Sequence, residues 1–132
     1  MYSFQNKNIQ LKWDFKNLIE CKIPDQLFTI VINNLVRNAC LYSQPNSVLL
    51  FKIEGSKISI QDQGQGMTKE QLEEVFKPFF RANEHSEVKG FGLGLAIVDW
   101  ICRQCHWEIS FESELGKGTT AILDLKNIKL LA

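Results

Sequence analysis

The stretch SVLLFKIEGSKISIQDQ (Ser47–Gln63) sets the centre of the fold. Apolar and polar residues alternate on both sides of the EGS segment at 54–56, which predicts two strands joined by a tight turn. The second strand of this antiparallel hairpin ends at Asp62, and Gly64 and Gly66 follow. These residues form either a plain Asp-x-Gly turn or a ligand site in which glycines allow close approach.

Further strands and helices are expected on both sides of this hairpin. Strands are predicted at 9–15, more weakly at 19–23, at 107–113 and at 118–126, the last two around a turn at 116–118. Helices are predicted at 25–42, 68–76 and 93–105. This order favours an α/β two-layer sandwich, with a mixed, mainly antiparallel sheet of about five strands and about three helices on one face.

Length and charge exclude several classes of protein. The 132 residues fit one domain, 1–132, and 15 basic residues balance 15 acidic ones. That balance lacks the charge footprint of a nucleic-acid or membrane-surface binder. No apolar run approaches the ~20 residues that span a bilayer, and the opening segment lacks the apolar core of a signal peptide. We therefore expect a cytoplasmic domain that contacts neither nucleic acid nor membrane.

The cysteines and histidines do not form a recognisable reactive set. Cys102 and Cys105 make a C-x-x-C, but no second close pair accompanies them, so a metal site of this kind is not expected. His85 lies in a polar stretch and His106 follows a helix, and neither has a local partner for triad chemistry.

The helix at 25–42 carries asparagines in two different settings. On a helical wheel one narrow polar arc, expected to face solvent, collects four residues: Gln26, Thr29, Asn33 and Arg37. Asn34 and Asn38 fall instead on an apolar face, four residues apart. A buried amide without partners costs about 1–3 kcal/mol. Either backbone and water satisfy these amides, or their oxygens face a ligand or a hydrated Mg²⁺.

The segment KGFGLGLAIVDW contains three glycines, Gly90, Gly92 and Gly94, at the point where a predicted helix begins. Backbone N–H groups at a helix N-terminus can bind phosphate. No strand precedes these glycines and no P-loop pattern occurs, so neither a dinucleotide fingerprint nor a Walker motif is present. The stretch at about 77–92 has no sustained period and is the best candidate for a mobile loop.

Taken together and in order, these segments resemble the ATP-binding catalytic domain of sensor histidine kinases. That domain belongs to the GHKL superfamily, with type II topoisomerases, Hsp90 chaperones and the mismatch-repair protein MutL. NLVRNACLYS is similar to the N box, DQGQGM to the G1 box, FKPFFR to the F box, GFGLGL to the G2 box, and GKGTT to a terminal glycine-threonine motif. The match covers about residues 9–125 and implies the Bergerat ATP-binding fold, with a lid at about 77–92.

The resemblance also implies roles for individual residues. Asn38 is expected to bind Mg²⁺ and Asn34 to support the phosphates, while Asp62 reads the adenine amine in a pocket shaped by Gly64 and Gly66. The other nucleotide-binding positions implied, near the base, the phosphates or the lid, are Tyr42, Arg81, Lys89, Gly90, Gly92, Leu93, Gly94, Leu95 and Thr119.

Asn34 favours phosphoryl transfer over hydrolysis. In the ATP-hydrolysing relatives its position is typically a glutamate that activates water, and an amide cannot take a proton near neutral pH. Transfer to a histidine needs such a base less, because positioning and Mg²⁺ supply most of the stabilisation. Leu41 departs from the family's usual Lys or Arg, so a phosphate contact is either missing or supplied by Arg37, Arg81 or Lys89.

The sequence therefore predicts the catalytic part of a two-component histidine kinase. It is expected to bind Mg²⁺ and ATP and to donate the γ-phosphate to a histidine on a separate dimerisation domain, with a response regulator downstream. No catalytic residue is assigned within the chain, because neither histidine fits the acceptor role. We expect the chain to be an excised part of a longer kinase, with or without an inner-membrane anchor. The alternatives are a stand-alone anti-sigma-type serine kinase and a degenerate nucleotide-binding module that only docks partners.

Overall fold

The computed structural model describes residues 9–15, 18–20, 25–77, 94–126 and 129–131. Its main sheet has five strands in the order β1-β3-β4-β6-β5. They are β1 (Gln10–Phe15), β3 (Val48–Glu54), β4 (Lys57–Gln61), β5 (Glu108–Glu114) and β6 (Gly118–Asp124). Two further strands, β2 (Leu18–Glu20) and β7 (Lys129–Leu131), pair with each other in a separate sheet. The helices are α1 (Asp25–Tyr42), α2 (Lys69–Glu74) and α3 (Gly94–Cys105).

The predicted hairpin forms the middle of the main sheet. β3 pairs with β4 in antiparallel register, from Leu50 opposite Gln61 to Glu54 opposite Lys57. Gly55 occupies the turn at φ 58°, a left-handed conformation that glycine adopts without steric cost. β1 lies parallel to β3, and α1 occurs in the connection between them. The remaining pairs, β4–β6 and β5–β6, are antiparallel.

These observations confirm the predicted α/β two-layer sandwich with a mixed, mainly antiparallel sheet of five strands. The weak strand predicted at 19–23 corresponds to β2, but it joins a small second sheet rather than the main one. Its partner β7 was not predicted. A strand of only three residues carries too little alternation to be recognised from sequence.

The core lies between the sheet and the two long helices. Alternate residues of β3, β4 and β6 face apolar residues of α1 and α3, because side chains on a strand alternate between its two faces. Its buried members from these elements are Val31, Leu35, Ala39, Cys40, Leu49, Phe51, Ile58, Ile60, Leu95, Val98, Ile101, Cys102, Ala121 and Leu123. The predicted polar arc of α1 is confirmed, because Gln26, Thr29, Asn33 and Arg37 are all exposed.

The short helix α2 begins at the predicted cap. The hydroxyl of Thr68 accepts a hydrogen bond from the backbone N–H of Gln71 at 3.1 Å, and the Gln71 side chain accepts one from the N–H of Thr68 at 2.9 Å. This reciprocal pair satisfies two N–H groups that a helix start otherwise leaves open. After α2, the ring of Phe76 packs 5.5 Å from the ring of Phe111 on β5.

β5 is an edge strand of the main sheet, and its two faces differ. Glu108, Glu112 and Glu114 are exposed, whereas Ile109 and Phe111 are half-buried. The glutamates therefore line the solvent face of the edge, and the alternating pattern read from the sequence is confirmed.

Among the helices that the structure describes, none is long and apolar enough to cross a membrane.

Replacing Leu123 by alanine should lower the free energy of unfolding by about 2–5 kcal/mol, because this side chain is fully buried near the end of β6. Leu115→Ala is the matched control, since Leu115 is 60% exposed in the turn that precedes β6. Its effect should stay within about 0.5 kcal/mol. Urea unfolding of both variants gives the comparison, and equal losses would contradict this placement of the core.

Candidate functional site

The site is built around Asp62, which follows the end of β4. Only 5% of this residue is exposed. Its Oδ1 accepts hydrogen bonds from the backbone N–H groups of Gly64 at 2.9 Å and Thr119 at 3.0 Å. Burial raises the pKa of the Asp62 carboxyl, and these two hydrogen bonds offset part of that rise. Since both bonds go to Oδ1, Oδ2 keeps its capacity to accept from a ligand.

Two glycines let the backbone close tightly around Asp62. A Cβ added at Gly64 would collide with the carbonyl oxygen of Tyr42, at the end of α1. A Cβ added at Gly118 would collide with the carbonyl oxygen of Asp62 itself. Gly64 also forms an isolated antiparallel bridge with Ser43. The end of α1, the turn after β4 and the start of β6 therefore meet at backbone contact distance.

The turn of the β5–β6 hairpin docks on the same loop. Gly66 has a φ of 74°, and a Cβ there would collide with the carbonyl oxygen of Glu114. The N–H of Gly116 donates to the carbonyl oxygen of Gln65 at 2.8 Å. These contacts explain why the DQGQGM segment needs its second glycine, which the sequence alone left open as a simple turn.

Ser113 links the two sides of this contact. Its hydroxyl accepts from the N–H of Met67 at 2.7 Å, donates to the carbonyl oxygen of Gly118 at 3.0 Å and lies 2.7 Å from the hydroxyl of Thr119. The sequence analysis did not single out this residue. The alternation of β5 could have indicated it, because Ser113 shares the inward face with Phe111.

Asn34 and Asn38 are both half-buried on α1. The side-chain N–H of Asn34 donates to the carbonyl oxygen of Ile30 at 2.8 Å, so the backbone satisfies part of this amide. Its Oδ1 faces the start of α3, where a Cβ added at Gly94 would lie 2.9 Å away. The Asn38 amide makes no hydrogen bond within the described part of the chain, and no buried polar side-chain atom there lacks a partner. Among the described residues, Asn38 is thus the half-buried asparagine of α1 whose amide has no partner.

The structure brings most of the predicted residues that it describes into one region. Tyr42, Asp62, Gly64, Gly66 and Thr119 surround the strand end. Asn34 and Gly94 meet where α1 approaches α3.

Leu95, also predicted to bind nucleotide, is buried in the core cluster. Of the residues weighed for the phosphates, Arg37 is exposed and Leu41 is half-buried. The predicted lid falls almost entirely outside the described residues, together with Arg81, Lys89, Gly90, Gly92 and Leu93.

The two cysteines of α3 differ in exposure, because Cys102 is buried and Cys105 is half-buried. Burial, with smaller contributions from Cys105 and Asp99, raises the pKa of Cys102 to about 12. Burial also raises the pKa of Cys105. Within the residues that the structure describes, no three His, Cys, Asp or Glu side chains cluster as a metal site of that kind requires.

Residues 24–128 match the family described as histidine kinase-, DNA gyrase B- and HSP90-like ATPases. The chain belongs to this family. Sensor protein RprX of Bacteroides fragilis is 43% identical over 109 residues, which cover 76% of this chain and 21% of RprX. Sporulation kinase C of Bacillus subtilis is 33% identical over 129 residues, which cover 91% of this chain and 29% of that kinase. The chain thus spans less than a third of either relative.

Solved structures share the fold. The mycobacterial sensor histidine kinase MprB superposes with a TM-score of 0.75 at 20% identity, covering 96% of this chain and 84% of that one. Full-length ShkA, solved in complex with AMPPNP, gives a TM-score of 0.76 at 21% identity, covering 97% of this chain and 27% of that one. At these identities the likeness establishes the fold alone, and it agrees with the sheet order and helix placement described above.

Gly118→Ala should destabilise the protein more than Gly116→Ala does. Both glycines have positive φ, at 95° and 82°, so both substitutions carry the left-handed penalty of about 1–2 kcal/mol. Only Gly118 faces a backbone atom, the carbonyl oxygen of Asp62, whereas a Cβ at Gly116 meets nothing within 4 Å. The collision should add about 1–3 kcal/mol, measured by urea unfolding. Equal losses would show that the turn does not press on Asp62.

Proposed function

We propose that this chain is a single ATP-binding catalytic domain of a sensor histidine kinase, which binds Mg²⁺ and ATP and donates the γ-phosphate to a histidine on a separate dimerisation domain. The arrangement of Asp62 carries this proposal. A buried carboxylate has one oxygen committed to two backbone N–H groups and the other available, at a point where glycines admit close approach. An N–H donor on a ligand would stabilise the ionised carboxylate, which burial disfavours.

Adenine fits this requirement because its exocyclic amine is such a donor. The base would lie against the end of α1 and the start of β6, which meet at Gly64 and Gly118. Tyr42 and Thr119, both half-buried, are proposed to line this pocket, with Gly64 and Gly66 shaping its floor. The AMPPNP bound in the full-length ShkA structure supports nucleotide as the ligand class.

The phosphates are proposed to lie toward Asn34, Asn38 and the start of α3. α3 has 12 residues, and its first N–H groups and dipole favour an anion. The amide oxygen of Asn38 suits Mg²⁺, a hard cation that prefers oxygen donors. When bound, Mg²⁺ would neutralise charge on the phosphates. Arg81, Lys89, Gly90, Gly92 and Leu93 are proposed contacts on the lid side, while Leu95 would support the site from the core.

The same geometry favours transfer over hydrolysis. Asn34 occupies the position where a water-activating base would be needed, and one of its N–H groups is bound to the carbonyl oxygen of Ile30. An amide held in this way cannot accept a proton from water. A histidine nucleophile needs less activation, and the relatives RprX and sporulation kinase C are named as a sensor protein and a kinase.

Calorimetric titration with a non-hydrolysable ATP analogue tests the binding half of this proposal. Asp62→Asn should weaken binding by about 10–100-fold, because the new amide N–H₂ would oppose the adenine amine. The variant should still fold, since the amide oxygen can accept from Gly64 and Thr119 as Oδ1 does. Absence of saturable binding by the natural chain at about 5 mM nucleotide would refute the assignment.

The same titration with Asn38→Ala isolates the metal contact. Affinity should fall by about tenfold with Mg²⁺ present and change little in a chelator, because only the metal-dependent part of binding is lost. Asn33→Ala is the matched control, an exposed asparagine on the solvent arc of the same helix. It should bind as the natural chain does in both conditions.

A phosphotransfer assay tests the chemistry. The chain, mixed with radiolabelled ATP, Mg²⁺ and a histidine-bearing dimerisation domain from a relative such as RprX, should label that domain. The label should be lost in acid, since phosphohistidine is acid-labile, and a His→Ala acceptor should stay unlabelled. Acid-stable label on serine would instead favour the anti-sigma type of kinase. Saturable nucleotide binding without transfer to any histidine-bearing acceptor tried would favour a docking module.

A further inference from the structure

We propose that Ser113 is a positioning residue for base selection. It fixes the hydroxyl proton of Thr119, so that Thr119 presents only accepting lone pairs to the base, and the pocket thereby discriminates a 6-aminopurine from a 6-oxopurine. This inference rests on the proposed nucleotide site and adds a residue and a specificity to it.

A count of protons leads to this assignment. The Ser113 hydroxyl has one hydrogen to donate and two lone pairs to accept with. The N–H of Met67, 2.7 Å away, can only donate to it, and the carbonyl oxygen of Gly118, 3.0 Å away, can only accept from it. When all three contacts are made as hydrogen bonds, the single hydrogen of Ser113 goes to Gly118. Either hydroxyl could donate in the 2.7 Å contact between Ser113 and Thr119, and we assign Thr119 as the donor because the Ser113 hydrogen is already used.

The consequence for Thr119 follows directly. Its only hydroxyl hydrogen points at Ser113, so any further contact of its Oγ1 must be as an acceptor. Its backbone N–H donates to Asp62 Oδ1, which places it next to the carboxylate that has one oxygen free. Both side chains then offer acceptors to the same ligand edge. Ser113 is half-buried on the inward face of β5, shielded behind Thr119.

Purine chemistry translates this pattern into selectivity. The 6-amino group of adenine donates hydrogen bonds, so it matches acceptors on both Asp62 and Thr119. The 6-oxo group of hypoxanthine only accepts, so it would meet lone pairs on both. A Thr119 hydroxyl that was free to rotate could turn its hydrogen toward the 6-oxo group and relieve half of that mismatch. Ser113 prevents this rotation.

The test compares ATP with ITP, two nucleotides that differ in the 6-substituent of the base and in the hydrogen on its N1, in calorimetric titrations with Mg²⁺; the same pair is used for every variant, so the N1 difference is common to all the ratios. The natural chain should bind ATP more tightly. Ser113→Ala should reduce the ratio of the ITP to the ATP dissociation constant by about three- to tenfold, because Thr119 regains rotation. Ser113→Thr keeps the hydroxyl, so its ratio should equal that of the natural chain. Ser113→Ala also removes the acceptor of the Met67 N–H. This second loss should weaken the binding of both nucleotides alike, so it should not itself change the ratio.

A double-mutant cycle with Thr119→Val completes the test. In that background Ser113→Ala should leave the ratio unchanged, because the hydroxyl through which Ser113 acts is gone. Circular dichroism melts confirm that each variant is folded, and if Thr119→Val does not fold, the Ser113→Thr rescue decides alone. An unchanged ratio in Ser113→Ala, or a reduced ratio that Ser113→Thr does not restore, overturns the proposal. If the natural chain binds neither ATP nor ITP, the nucleotide site itself is refuted, and this inference falls with it.

Discussion

The carboxylate of Asp62 is the constraint on which the rest of the site depends. It lies buried at the end of β4, where ionisation is costly, and two backbone N–H groups from different segments share one of its oxygens. One comes from the turn that follows, at Gly64, and the other from β6, at Thr119. The carboxylate thus joins a strand end, a turn and a neighbouring strand, while its second oxygen keeps its capacity to accept a further hydrogen bond.

Close contacts between backbone segments accompany the hydrogen bonds of Asp62. Gly64 admits the end of α1, Gly66 admits the β5–β6 turn, and Gly118 admits Asp62 itself, all at distances that exclude a side chain. α1 is thereby brought against the strand end, and α3 begins at Gly94, where an added Cβ would come within 2.9 Å of the side-chain oxygen of Asn34. A pocket assembled in this way is set by main-chain positions, which change less than side-chain rotamers do.

Local patterns made much of this structure predictable. The β3–β4 hairpin, the Thr68 capping box and the exposed arc of α1 follow from alternation, cap chemistry and helical period, which act over a few residues. The features that the sequence did not predict depend on contacts between segments that are distant along the chain. β7 pairs with β2 from the other end of the chain, and Ser113 acquires its role only because Met67 and Thr119 converge on it.

The asparagines of α1 show, within one helix, what a local pattern predicts and what it leaves open. The wheel separated Asn33 from Asn34 and Asn38 correctly, because exposure follows helical period. It left open what would satisfy the two amides on the apolar face. Asn34 uses the carbonyl oxygen of Ile30 for one N–H, a choice that depends on its rotamer, whereas Asn38 has no such bond within the described residues. Two asparagines on the same face of α1, Asn34 and Asn38, thus differ in how their side chains are hydrogen bonded.

The edge strand β5 carries exposed glutamates beside the hydrogen-bonded contact of Ser113 with Thr119. An edge strand offers unpaired backbone groups to which another polypeptide can add, and outward charges of one sign oppose that addition. On the strand that carries Ser113, Glu108 pairs with Lys126 at 2.6 Å and Glu114 with Lys117 at 3.6 Å, so Glu112 carries the outward charge that no ion pair among the described residues neutralises. Charge of this kind on the edge opposes the addition of another strand next to the contact between Ser113 and Thr119.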